Sequence, residues 1–132
     1  MPKPSALAVG AISDGKRMFF LVKKNPQGID CVELPSVLIY GNDDPVSALV
    51  SLFQSSCGID AHVRGVIVQS VHNVGSRKRK HNVPALVFDV GTKTAKPALA
   101  PGISGYKWLT LNEARAMRPT RLFEWIRNGW TE

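Results

Sequence analysis

Between Asp43 and Gly58 the sequence carries both the start and the stop signals of one helix, and no other segment constrains the fold as much. Asp43 or Asp44 can cap the first free amides, and Pro45 suits the first helical position, where its missing N–H costs nothing. Gly58 can take the left-handed conformation that closes the helix. Val46, Leu49, Val50, Phe53 and Cys57 recur at three- and four-residue spacing and predict a core-facing stripe. Ser47, Ser51, Gln54 and Ser55 fill the opposite side.

Upstream, the apolar runs have the length and punctuation of strands. Residues 5–12 and 18–22 flank the turn Ser13-Asp14-Gly15-Lys16 and predict a hairpin, and residues 29–34 predict a short strand ended by Pro35. A loop is expected over 36–42. Downstream, residues 62–72 and 82–90 predict two longer strands around the basic tip 76–81, and 91–105 reads as a surface connection. Residues 106–109 predict one more strand. Thr110 and Glu113 then fit a capping box for a helix reaching Met117. Pro119 ends that helix, and a last one is expected at about 120–128, with Leu122, Phe123 and Ile126 on one face.

At 132 residues, 44% of them hydrophobic and 20% charged, the chain suits one domain with a packed core rather than a disordered segment. Its apolar runs are far shorter than the roughly 20 residues that span a bilayer, so no membrane helix is expected. The first residues lack a secretory pattern, because Gly10 and Asp14 interrupt the only candidate run, and a cytoplasmic location is the expectation. Cys31 and Cys57, without Cys-x-x-Cys spacing, are expected to be reduced and buried. His62, His72 and His81 lack the spacing of a metal-ligand pair on one helix.

Residues 37 to 59 lay without a gap onto the pattern G-x5-E-x7-R-E-U-x-E-E-x-G-U, in which U is a bulky apolar residue. In this register Val37 stands at the first glycine, Asp43 at the first Glu, Ser51 at the Arg and Leu52 at the next Glu. Phe53 matches the apolar position, Ser55 and Ser56 replace the paired glutamates, and Gly58 and Ile59 match. Together with Gly28, Glu33-Leu34-Pro35 and the joint from Gly105 to Ala114, the order of elements resembles the Nudix hydrolase family over nearly the whole chain. The resemblance implies an α+β fold, a mixed sheet flanked by helices in an α/β/α sandwich, as one domain over residues 1–132.

The family's glutamates hold Mg²⁺ through hard carboxylate oxygens while water attacks phosphorus. Leucine and serine cannot do so, which implies a catalytically degenerate domain that binds a phosphate-bearing ligand, nucleic acid or a protein, with no cofactor. The alternative is an active hydrolase of nucleoside-diphosphate-linked compounds with relocated carboxylates, using Asp43, Asp44 and Glu33 with Mg²⁺ or Mn²⁺, and Glu113 or Asp89 from elsewhere in the fold. A third reading is a structural or homodimeric subunit.

Two surfaces are candidates for partners. The net charge of +7 is concentrated: Arg77, Lys78, Arg79, Lys80, Lys93 and Lys96 face Asp89 alone between residues 76 and 96. The run Arg77 to Lys80, with His81, is either a solvated loop or a site for nucleic acid or nucleotide phosphates. The segment around Leu38, Ile39 and Tyr40 is unusually apolar for a loop. It either folds onto the core or, beside Leu52, forms a partner surface. Trp108 and Trp125 suit core or rim packing, and Trp130 is open to either an exposed or an intersubunit role.

Overall fold

The computed structural model describes residues 3–93 and 96–123. In chain order it contains β1 (Pro4–Asp14), β2 (Arg17–Lys24), β3 (Asp30–Glu33), β4 (Ser36–Tyr40), α1 (Pro45–Cys57), β5 (Ala61–Asn73), β6 (Asn82–Thr92), β7 (Gly105–Leu109) and α2 (Leu111–Ala116). Among the described residues the strands form one mixed seven-stranded sheet in the order β3-β2-β1-β6-β5, with β4 beside β1 and β7 beside β2. β1 joins two wings. It pairs in parallel with β6 from Leu7 to Ile12, and antiparallel with β2 at its far end through Ser13 and Asp14.

Both faces of this sheet are covered, which is why β2 is a continuous apolar run instead of an alternating one. Phe19 and Leu21 join Ala8, Ile12, Phe88 and Val90 under the Leu49, Phe53 and Cys57 stripe of α1. Met18, Phe20 and Val22 point the other way, into a core shared with Leu7, Val9, Val32 and Val87, which Leu111 and Ala114 of α2 and Phe123 close. The Phe20 and Phe123 rings meet edge to face at 5.2 Å. The arrangement is helix, sheet, helix.

Of the two aspartates able to cap α1, Asp44 does so. Its carboxylate accepts from the Val46 and Ser47 amides at 3.3 Å each and from the Ser47 hydroxyl at 2.7 Å. That hydroxyl is the main reason its carboxyl lies below the usual carboxylate range. Gly58 closes the helix at φ 62°, and a Cβ there would lie 2.7 Å from that of Ala98, so both backbone angle and space call for glycine. The capping box of α2 is complete: the Glu113 amide donates to Thr110 Oγ1 at 3.1 Å and the Thr110 amide to Glu113 Oε1 at 2.9 Å.

The expected loop over 36–42 is, for most of its length, the strand β4. Residues 36–40 pair antiparallel with β1, from Val9↔Ser36 to Pro4↔Tyr40. The apolar content that made this segment odd as a loop is the alternation of a strand. Val37 and Ile39 face the α1 core and Leu38 the other. Val37 needs no special backbone angle there, and the left-handed residue in this region is Gly41, at φ 57°. The final helix expected at about 120–128, with Trp125 and Ile126, lies mostly outside the described residues, as does Trp130 beyond it. Pro119, beyond its role as a helix stop, bridges to Val32.

Cys31 and Cys57 are free and buried, as their spacing led us to expect. Burial pushes the Cys57 thiol up to about 11, against the pull of the Lys23 charge. A raised thiol favours the folded state in full below its ordinary value of 9.0 and loses that advantage as pH rises toward 11. The thermal midpoint should therefore fall between pH 9 and 11 more steeply in the natural protein than in Cys57→Ala. Parallel melting curves measured across that range would refute the burial argument.

Candidate functional site

At residues 52, 55 and 56, where the family's pattern has glutamates, the structure presents no carboxylate. Leu52 is half-buried and packs against the α1-side core. Ser55 is exposed and donates its hydroxyl to the Ser51 carbonyl at 2.9 Å. Ser56 lies where residues 98–100 cross the end of α1, with the Ala100 amide donating to its carbonyl at 2.9 Å and the Ala98 amide to that of Cys57 at 2.7 Å.

The carboxylates that could stand in are mostly committed elsewhere. Asp44 caps α1. Glu33 is 3% exposed and takes the Lys23 ammonium at 2.9 Å. Asp89 receives two bonds from Arg64, at 3.0 and 3.2 Å, and Glu113 completes the α2 cap. Asp43 is exposed. Among the described residues no three His, Cys, Asp or Glu side chains are grouped to hold a metal ion. The donors present do not fit a Mg²⁺ or Mn²⁺ centre of the family's kind, which needs several hard oxygens in near-octahedral array.

At the outer edge of the sheet an open groove of about 980 Å³ lies between the β2–β3 end and residues 116–122. Strand geometry explains its lining. Lys23 follows Phe19 and Leu21 at two-residue intervals, so it shares their side, and Cys31 and Glu33 lie directly across from Lys23 and Leu21. On the outer edge of β3 the Val32 amide donates to the Arg118 carbonyl at 2.9 Å and the Thr120 amide to the Val32 carbonyl at 3.0 Å. With Pro119 opposite Val32, the flanking Arg118 and Thr120 turn toward the groove side.

The groove's charge is one-sided. Lys23 is matched by Glu33, and Lys24 by Asp30 at 3.0 Å. Arg118 and Arg121 have no acidic partner among the described residues, while Thr120 Oγ1 is buried with no hydrogen bond there. Two unneutralised guanidinium groups and an unsatisfied hydroxyl suit an anionic ligand with hydrogen-bond acceptors. These residues went unnoticed in the sequence. Their only signals were basic residues at a strand end and around a helix-stopping proline, and the β3–119 bridge that joins them is non-local.

The other sequence candidates separate. Ile39 is 3% exposed, buried by strand pairing with β1, and is no surface anchor; Leu38 is half-buried and packs against the opposite core. Tyr40 remains 40% exposed. Arg77, Lys78, Arg79 and Lys80 are exposed at the β5–β6 tip, and His81 is half-buried with Nε2 2.7 Å from the Pro4 carbonyl. Lys93 and Lys96 follow β6 and therefore lie at the end of the β5–β6 ladder away from the tip. Trp108 lines the rim, edge to face with Phe19 at 5.6 Å. No helix among the described residues is long and apolar enough to cross a membrane.

No protein-family model and no curated protein sequence matches the chain. Solved structures do. A MutT Nudix hydrolase from Burkholderia pseudomallei superposes at a TM-score of 0.74 with 16% identity, over 98% of this chain and 99% of that one. The MutT protein from Methanosarcina mazei Go1 gives 0.71 with 20% identity, over 97% and 91%. The Nudix domain of Shewanella oneidensis NrtR, solved in complex with ADP ribose, gives 0.66 with 8% identity, over 96% and 86%. At such identities it is the fold that is shared, and across nearly its whole length this chain has the Nudix fold.

Proposed function

We propose that this chain is a binding module built on the Nudix scaffold, taking a phosphate-bearing nucleotide in the groove between β3 and residues 116–122 without hydrolysing it. The observation that carries the reading is the contrast between the edge groove and the α1 positions. Among the described residues the groove has two arginines without an acidic partner and an unsatisfied buried hydroxyl, while Leu52, Ser55 and Ser56 offer no carboxylate for a metal. Arg118 and Arg121 would hold phosphate oxygens, and Thr120 would supply or accept one directional bond. The NrtR Nudix domain, bound to ADP ribose, supports the choice of a nucleotide probe.

Calorimetric titration with ADP-ribose tests it. Binding should be measurable, and Arg118→Ala and Arg121→Ala should each weaken it about tenfold, the size of one lost charge-assisted hydrogen bond. Affinity unaffected by either substitution, or no binding at millimolar ligand, would remove the groove from consideration.

A further inference from the structure

We infer that the β5–β6 tip, together with Tyr40, is a second binding site, for single-stranded nucleic acid, separate from the groove. In sequence the tip is a bare run of cations with no aromatic residue nearby, which by itself describes a solvated loop equally well. The sheet supplies what the sequence lacks. β4, β1 and β6 lie side by side, and Tyr40 is the register partner of Pro4, whose carbonyl is the one His81 Nε2 contacts. Tyr40 is thus about two strand spacings, ~10 Å, from the base of the tip. By strand alternation it shares the side of Leu38, and Leu38 and Val74 pack on the same core, so the aromatic ring and the start of the tip belong to one face. Lys3, exposed next to Pro4, adds a further cation.

The tip is also a built structure. Asn73 Oδ1 accepts from the Gly75 and His81 amides at 2.9 Å each, and the Ser76 amide donates to the Arg79 carbonyl at 3.1 Å. The Arg79 amide returns to Ser76 Oγ at 2.9 Å. A Cβ on Gly75 would collide with the Arg79 carbonyl oxygen, so the turn closes tightly enough to need glycine. The backbone of the tip is therefore held by its own hydrogen bonds, and a pre-formed loop lowers the entropic cost of binding. None of Arg77, Lys78, Arg79 and Lys80 forms an ion pair among the described residues. The acidic groups that follow Tyr40 in the chain are Asp43 and Asp44, and Asp44 is already occupied as the α1 cap. Cations alone would bind any polyanion, whereas an exposed ring beside them suits unpaired bases, each of which has a face to stack.

Fluorescence anisotropy with a labelled oligothymidylate and the full chain provides the test. Neutralising four phosphates predicts a log–log salt slope of about −3, or roughly fifty-fold weaker binding at 200 than at 50 mM salt. Changing Arg77, Lys78, Arg79 and Lys80 together to Gln should flatten that slope toward zero. Tyr40→Leu should weaken binding about fivefold or more at an unchanged slope, and Tyr40→Phe should restore it. Arg118→Ala should leave it untouched, which keeps this test apart from that of the groove. The inference is overturned by no binding at 50 mM salt, or by binding that survives the quadruple substitution. It is equally overturned by preference for anionic vesicles, or by a duplex bound as tightly as the single strand with Tyr40→Leu silent. All these side chains are exposed, and matching melting curves would establish that the variants fold.

Discussion

Phe53→Ala is expected to lower the stability of the domain by about 3–5 kcal/mol, a large part of the roughly 5–15 kcal/mol that holds a typical domain together. Phe53 is fully buried in the middle of α1, and its ring occupies the space that a side chain at residue 10 would need. A Cβ built on Gly10 would lie 2.6 Å from Phe53 Cζ and closer still to Cε2. The glycine lets β1 pass directly beneath the helix, and the ring fills the gap so formed. The two positions should therefore be coupled. Gly10→Ala should cost about 1–3 kcal/mol by overpacking, and distinctly less in a Phe53→Leu background. Denaturant unfolding of the four proteins measures this directly. Additive effects would mean that helix and strand do not lock at this point.

Lys23→Met is the second large effect. Glu33 is almost wholly buried, and the Lys23 ammonium at 2.9 Å is the partner the structure gives its carboxylate. Removing one member of a buried pair costs about 3–5 kcal/mol because the other charge is stranded. The Lys23 side chain is itself 38% exposed, so water screens part of the interaction and about 2 kcal/mol is the expected loss. Adding Glu33→Gln to Lys23→Met should recover most of it, since a neutral amide does not need a counter-charge. If Lys23→Met is neutral by chemical denaturation, the pair contributes nothing to stability. The double substitution leaves Arg118 and Arg121 in place and the net charge of the groove unchanged, so ADP-ribose binding by it reports on the shape of the groove.

The fold was largely legible because its signals are local. The Asp-Pro start and Gly58 stop of α1, the Thr110–Glu113 capping box, and the turn between β1 and β2 each rest on residues within one helical turn or one hairpin. The segment from Ser36 to Tyr40 was less legible. Its alternation is clear once β1 is known to lie beside it, but five residues between a proline and a glycine do not by themselves distinguish strand from apolar loop. The absence of a carboxylate at residues 52, 55 and 56 of α1 could be read from the sequence alone. The groove could not, because it joins the end of β2 to residues some ninety-five positions later through the Val32–Pro119 bridge. Tyr40 and the basic tip are likewise brought together only by the order of β4, β1 and β6.

Phosphorus NMR of ADP-ribose mixed with the protein, in the presence of Mg²⁺ and then Mn²⁺, tests binding without hydrolysis most directly, because one spectrum reports both. The account predicts that the pyrophosphate resonances shift or broaden on addition of protein and that no phosphomonoester signal grows in with time. Growth of phosphomonoester resonances that Asp43→Ala abolishes would contradict it, and would mean that the domain has rebuilt a hydrolytic centre from carboxylates outside the usual positions.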